Sequence, residues 1–144
     1  MESVVILDGN STYCKLSTPN SQSIEIIIFH PYTNENGALN MTVTLGIEGT
    51  AWAASAAIFD SNSNTVHIET IPYLPDSGGL HPKEAAEHMR KALPQVIDTI
   101  FAKLETPPDA VAFSRGPGLG PCLRICATAA RALSGSFNVP LLGV

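Results

Sequence analysis

The stretch Ala112-Phe113-Ser114-Arg115-Gly116-Pro117-Gly118-Leu119-Gly120-Pro121-Cys122-Leu123-Arg124 constrains the fold of this chain more than any other. An apolar run, Ala110 to Phe113, enters it, and an apolar helical pattern, Cys122 to Leu133, leaves it. Between them stand three glycines and two prolines in six residues. Glycine admits backbone angles closed to other residues and lets a second backbone or a ligand come close. Pro121 suits the first turn of a helix, where its missing N–H costs nothing. The reading is strand, tight glycine turn, helix. A helix N-terminus with bare N–H groups is a natural anion site. The G-x-G-x-G spacing matches neither the dinucleotide fingerprint nor the Gly-Lys-Ser/Thr phosphate loop. A close-packed strand-to-helix connection and an anion cradle are therefore both open.

Upstream, the pattern predicts three strands in meander order: Val43 to Ile47, Trp52 to Phe59 and Thr65 to Ile71. Glu48-Gly49-Thr50 breaks the first, and Asp60-Ser61-Asn62-Ser63-Asn64 turns the second into the third. In the third, Val66, Ile68 and Ile71 are expected inward and His67 and Glu69 outward. Pro72 to Gly79 reads as a loop. A helix follows from Pro82, with Ala85, Met89, Leu93, Val96, Ile97, Ile100, Phe101 and Leu104 on one face. Glu87 and Lys91 form an i,i+4 pair, Pro94 should kink or split the helix, and Pro107-Pro108 ends the segment. The second helix runs from Pro121 to Leu133, is rich in alanine and ends at Gly135. Pro140 to Val144 begins a further strand.

Residues 1–40 have a different grammar. Val4 to Leu7 and Ile24 to Phe29 could be strands. Asn10-Ser11-Thr12, Thr18-Pro19-Asn20-Ser21 and Thr33-Asn34-Glu35-Asn36-Gly37 carry turn chemistry. We expect a weakly structured extension at 1–40 and one folded unit at 41–144. Asn10-Ser11-Thr12 and Asn40-Met41-Thr42 match the glycosylation pattern, which means nothing without a secretory signal.

Of the 144 residues, 44% are hydrophobic and only 15% charged, which argues for a folded chain. The formal charge of −5 argues against clamping nucleic acid by a basic surface. It leaves room for an RNA delivered by another subunit or by further chain. Cys14, Cys122 and Cys126 make no disulfide framework and no C-x-x-C motif. Cys122 and Cys126, four apart, read as small buried thiols rather than metal ligands. No apolar run reaches about 18 residues, and the N-terminus lacks a signal-peptide pattern. No membrane role and a cytoplasmic location are expected.

Four motifs now stand in order: Leu45-Gly46-Ile47-Glu48-Gly49-Thr50-Ala51, then Gly78-Gly79-Leu80-His81-Pro82-Lys83-Glu84-Ala85-Ala86-Glu87-His88, then the glycine stretch, then Thr128-Ala129-Ala130-Arg131-Ala132-Leu133. Together they resemble the N-terminal lobe of the universal tRNA threonylcarbamoyladenosine synthase family (TsaD-like, formerly Gcp or O-sialoglycoprotein endopeptidase). The archaeal and eukaryotic type, the catalytic subunit of KEOPS, is the nearer pattern. The resemblance covers Val43 to Val144, and Met41 looks like the family's usual start. It implies an α/β, ribonuclease-H-like fold, shared with actin-like ATPases and sugar kinases. The element order β-β-β-α-β-α-β, a mixed sheet with helices on its faces, agrees with that fold.

The resemblance also implies a chemistry. Family members transfer a threonylcarbamoyl group from its adenylate to adenosine 37 of tRNAs that read codons starting with A. Their metal, iron or zinc, is held by a His-x-x-x-His pair and a later aspartate. That pair would follow Val144, so neither metal ligand nor cofactor is expected in this chain, which reads as truncated. Partners implied for the complete enzyme are tRNA, threonylcarbamoyl-adenylate, the other KEOPS subunits and a fused or separate small protein kinase. Two other readings stand beside the enzyme: a noncatalytic lobe that only binds partners, and an inactive fragment that self-associates through uncovered sheet. The bacterial paralogue of the first kind usually reads Gly-Pro-Gly-Ser-Phe-Thr-Gly, and Gly118-Leu119-Gly120-Pro121-Cys122-Leu123-Arg124 sides with the catalytic subunit. The older peptidase label carries little weight.

With the resemblance in place, Glu48 is the candidate catalytic residue, lining the cleft. Gly49, Thr50, Gly116, Gly118, Gly120 and Arg124 are candidates for binding substrate or phosphate, with the Gly49 N–H and Thr50 shaping an anion site. His81 and His88, seven apart, are favoured as a helix cap and as a surface or packed side chain, since a metal would want i,i+4 spacing or a third ligand. Arg124 and Arg131 could pair ions and pack their stems, or could touch substrate or a partner. Trp52 is favoured as core or interface packing.

Overall fold

A computed structural model describes the strand backbones at 3–8, 11–17 and 23–29, and residues 43–75 and 78–144 in full. Asn10, Thr18-Pro19-Asn20-Ser21, Thr33-Asn34-Glu35-Asn36-Gly37, the Asn40-Met41-Thr42 pattern and the expected start at Met41 lie outside the described residues, as does the side chain of Cys14.

The strands are β1 (Ser3–Asp8), β2 (Ser11–Ser17), β3 (Ser23–Phe29), β4 (Val43–Glu48), β5 (Ala53–Asp60) and β6 (Thr65–Pro72), followed by helix α1 (Pro82–Phe101), β7 (Ala110–Phe113), α2 (Gly120–Phe137) and β8 (Leu141–Gly143). They form two sheets: an antiparallel β1-β2-β3 meander, and a five-stranded sheet in the order β6-β5-β4-β7-β8. In the larger sheet β4, β5 and β6 are antiparallel, whereas β7 lies parallel to both β4 and β8. A parallel neighbour requires a crossover, and α1 supplies it between β6 and β7. β2 is the strand the sequence hid: Ser11 and Thr12, read as turn formers, lie inside it, opposite Phe29 and Ile28.

Strand residues alternate between faces with a period of two. Leu45, Ile47, Ala54, Ile58, Val111 and Phe113 share one face, and both described helices pack there in a single core. α1 contributes Ala85, Met89, Ala92, Leu93, Val96, Ile97 and Ile100, the three- and four-residue stripe its sequence predicts. Truncating a fully buried side chain such as Leu93 to alanine would cost about 2–5 kcal/mol. α2 reaches close with small buried residues, Cys122, Cys126 and Ala130. The regular β5–β6 register corrects one expectation: Ile71 shares the helix side with His67 and Glu69, while Val66 and Ile68 lie on the other face. Glu69, half-buried on that side, is paired by the Lys103 ammonium, 2.6 Å from its Oε1.

Both helices run past residues expected to punctuate them. α1 is not split at Pro94 and continues from Pro82 to Phe101. Pro94 is exposed, so the carbonyl that loses its partner one turn earlier can turn to water. α2 passes through Gly135 and stops at Asn138, which adopts the left-handed conformation at φ 55°. Asparagine is among the few residues that tolerate that region, and there it turns the Asn138 and Val139 N–H groups onto Gly135 O and Ser134 O.

Candidate functional site

The parallel pair β4–β7 sets Ile47 beside Phe113, so the two chain segments that follow leave the sheet at the same edge. In open α/β sheets, ligands bind outside the carboxyl ends of parallel strands. At this edge lie Glu48-Gly49-Thr50 and the glycine turn, with Gly49 and Ser114 65 positions apart in sequence. Ser114 N donates to Ile47 O at 3.1 Å, and Gly49 N lies 3.4 Å from Ser114 Oγ.

Glu48 ends β4 and is held by its neighbour. Thr50 N and Thr50 Oγ1 both donate to Glu48 Oε1, at 2.7 and 2.6 Å. One carboxylate oxygen is thus pinned twice, and Oε2 makes no hydrogen bond among the described residues. The Thr50 carbonyl in turn accepts Leu119 N at 2.7 Å. Gly118 makes this possible, because a Cβ there would collide with the Thr50 carbonyl and lie 2.8 Å from Thr50 Cβ. Gly49 is confined less tightly, by side chains on its inner side: a Cβ would come within 2.9 Å of Met89 Sδ and 3.2 Å of Cys126 Cβ. Gly116, at φ 140°, makes the bend that brings the turn back over the sheet edge.

α2 then begins at Gly120, with Leu119 as its N-cap and no side-chain cap on its first turn. Arg124 and Arg131 are exposed, and neither pairs with an acid among the described residues. Arg115, also exposed, lays its stem over Gly143 and donates its backbone N–H to Val144 O. From Ala110 onward the chain has three arginines and no Asp or Glu, against a net charge of −5 overall. The glycine turn therefore lies in the cationic part of an acidic chain.

Cys122 and Cys126 are fully buried beneath the site, and their thiols donate to Ala51 O and Ile47 O. Burial pushes Cys126 up to about 11, and the nearby Glu48 carboxylate adds to it while a hydrogen bond with Ser114 opposes it. Burial, with Glu48 second, also raises Cys122. Both stay protonated near neutrality, which suits packing rather than metal binding.

The structure brings together Glu48, Gly49, Thr50 and Gly118, with Gly116 and Gly120 on the same turn and Arg124 one helical turn further. It does not bring the histidines to them. His81 occupies the N-cap position of α1 without a side-chain cap bond. His88 is half-buried, its Nε2 3.2 Å from Ile71 O and its ring 5.3 Å from that of Tyr73. Trp52 is half-buried, and its carbonyl accepts the Tyr73 N–H. Sequence reasoning passed over Ser114. It is the residue just after β7, as Glu48 is the residue just after Ile47 on β4, and that equivalent strand-end position was the available signal.

The family model of TsaD, the tRNA N6-adenosine threonylcarbamoyltransferase, matches residues 63–144, more than half of the chain. The chain belongs to the TsaD family. A probable bifunctional tRNA threonylcarbamoyladenosine biosynthesis protein of Haloquadratum walsbyi is 60% identical over 107 residues, which cover 69% of this chain and 20% of that protein. A tRNA N6-adenosine threonylcarbamoyltransferase of Archaeoglobus fulgidus is 47% identical over 103 residues, covering 71% and 32%. The chain thus spans a fifth to a third of the length of these relatives. Among solved structures, YeaZ from Pseudomonas aeruginosa shares the fold, with a TM-score of 0.57 and 20% identity over 72% of this chain and 44% of that one. The ribonuclease-H-like order expected of a TsaD relative is the order observed.

The metal that the TsaD family implies does not fit the described residues. No group of three or more His, Cys, Asp or Glu among them could hold an ion. No helix among them is long and apolar enough to cross a membrane.

Proposed function

We propose that residues 41–144 are the N-terminal part of a tRNA threonylcarbamoyltransferase lobe, which modifies adenosine 37 of tRNAs reading A-starting codons, with residues 1–40 as an extension that has no counterpart in the family. The observation that carries this reading is the union of Glu48-Gly49-Thr50 with the glycine turn at the carboxyl end of β4 and β7. Glu48 is the candidate catalytic carboxylate, with Oε2 left over for chemistry once Thr50 has pinned Oε1. Thr50 acts as its holder. Its hydroxyl and N–H are spent on Glu48, so an anionic substrate would be met instead by the uncapped start of α2, by Gly116, Gly118 and Gly120 at close approach, and by Arg124. The absence of acids beyond Asp109 favours an adenylate or phosphate on this side.

In this reading the iron or zinc ligands, the opposite wall of the cleft and most of the tRNA contacts come from the remainder of the enzyme. The setting is cytoplasmic, beside other KEOPS subunits. The word bifunctional in the Haloquadratum relative's description favours a second activity on the same polypeptide, and a small protein kinase is the one we propose. The test is complementation. Supplied with the missing lobe of a relative, the chain should restore threonylcarbamoyladenosine to tRNA from depleted cells, and Glu48→Gln should abolish the effect while the chain still folds, with a melting temperature lowered only by the weaker, uncharged acceptor. Equal restoration by the Glu48→Gln chain would remove the carboxylate from the mechanism. Partner binding without any restoration would favour a noncatalytic lobe.

A further inference from the structure

Glu48 is bracketed along the chain by one residue of another segment. Ser114 N donates to Ile47 O, the carbonyl before Glu48, and Ser114 Oγ accepts the Gly49 N–H, the donor after it. The last paired residues of β4 and β7 are Ile47 and Phe113. Were the parallel ladder to continue, the Ser114 carbonyl would be the group to accept the Gly49 N–H. The hydroxyl stands in for that carbonyl. β7 can therefore leave for the glycine turn while β4 stays anchored through Gly49.

The Gly49 N–H depends on this acceptor. Gly49 is buried, and its N–H has no other acceptor among the described residues. A buried amide without a partner is rare and costly. The hydroxyl is itself oriented. Cys126 gives its thiol proton to Ile47 O at 3.7 Å, so between Ser114 Oγ and Cys126 Sγ, 3.9 Å apart, the hydroxyl is the donor. With its proton turned to sulfur, the oxygen presents its lone pairs to Gly49. The bonds run from Gly49 to Ser114, to Cys126 and back to Ile47, around Glu48. Peptide units are planar, so fixing the Gly49 N–H fixes the plane between Glu48 and Gly49. That plane sets the direction in which the Glu48 side chain leaves the backbone. Thr50 holds the far end of the same side chain at Oε1.

We propose that Ser114 is a positioning residue for the carboxylate: its hydroxyl sets the Glu48–Gly49 peptide and so aims Glu48 at the substrate. The proposal rests on the reading of Glu48 as the catalytic carboxylate given above. Two measurements on Ser114→Ala and Ser114→Thr test it. In the full chain, Ser114→Ala should speed hydrogen exchange at the Gly49 amide about tenfold or more, while the Leu119 amide, bonded to Thr50 O, changes less than about twofold. Ser114→Thr keeps the hydroxyl and should keep the protection. In the enzyme completed with a relative's lobe, Ser114→Ala should lower kcat about tenfold at an unchanged KM for the threonylcarbamoyl donor, and Ser114→Thr should restore it. Parental exchange at Gly49 in the alanine chain overturns the proposal. So does equal acceleration at Leu119, which would make Ser114 a general fastener of the edge. A kcat that ignores the loss of protection, a rise in KM alone, or a threonine chain that behaves as the alanine chain also overturns it. If even the parental chain restores no modification, the catalytic reading of Glu48 falls, and the exchange pattern alone decides whether Ser114 sets the Glu48–Gly49 peptide.

Discussion

Leu119 and Thr50 are joined through a single backbone hydrogen bond, Leu119 N to Thr50 O at 2.7 Å, across a gap that only a glycine at 118 leaves open. This bond ties the turn that carries Glu48 to the start of α2.

Gly118→Ala should therefore cost about 1–3 kcal/mol, the range for forcing a methyl into a filled space, and should release the Glu48 turn. Gly135→Ala is the counterpart. Nothing lies within 4 Å of a Cβ there, and the site is inside α2, so the change should stabilise by about 0.5–1 kcal/mol. Urea denaturation of the two variants measures both, and opposite signs are expected.

Thr50→Val removes a hydroxyl that donates to a carboxylate at 2.6 Å. The expected loss is about 1.5–3 kcal/mol, as for hydrogen bonds to charged groups, and Thr50→Ser should retain most of it. In the complemented enzyme the same variant should lower tRNA modification, since Glu48 would be free to swing. A Thr50→Val chain as stable as the parent would show that the bond contributes nothing.

The buried thiol of Cys126 gives a pH dependence of definite sign. Its folded value, about 11, exceeds the ordinary 9.0. A raised acid favours the folded state while protonated, so its contribution is whole below pH 9. It shrinks above that, as the unfolded chain releases its proton first, and is fully lost by pH 11. Cys126→Ala should flatten the fall in stability across that window, measured as melting temperature against pH. Parallel curves for the two chains would contradict the assignment.

Asn138 closes α2 in the left-handed region. Asn138→Ala should cost about 1 kcal/mol, because a Cβ without a compensating polar group is strained there, and Asn138→Gly should be neutral or slightly stabilising. Thermal melts separate the two.

Much of this was legible in the sequence because period and punctuation agreed. β7 begins and ends where the apolar run Ala110 to Phe113 does, and the stripe of α1 buries the residues its spacing names from Ala85 to Ile100, with Phe101 and, beyond the helix, Leu104 half-buried. What escaped was decided by tertiary partners. Gly135 looks like a helix stop, yet the left-handed Asn138 three residues later does the stopping. Ser11 and Thr12 look like turn residues, yet pairing with β1 and β3 makes them strand. At the site, Glu48 and the glycines were visible as motifs. The two hydrogen bonds from Thr50 to Glu48 were not, because they depend on the local geometry of the turn, and the contact of Ser114 with Gly49 was not, because it depends on how segments 65 residues apart meet.

The pairing of β4 with β7 also governs when the site can exist. Parallel strands pair only after the crossover between them has been made, and Ile47 waits for Phe113 through the whole of β5, β6 and α1. Closing so long a segment places its entropic cost ahead of the reward, the pattern of slow-folding topologies. On the ribosome, Glu48 leaves the exit tunnel well before its partners are made. The union of Glu48 with the glycine turn is therefore complete only after β7 and the turn have been made.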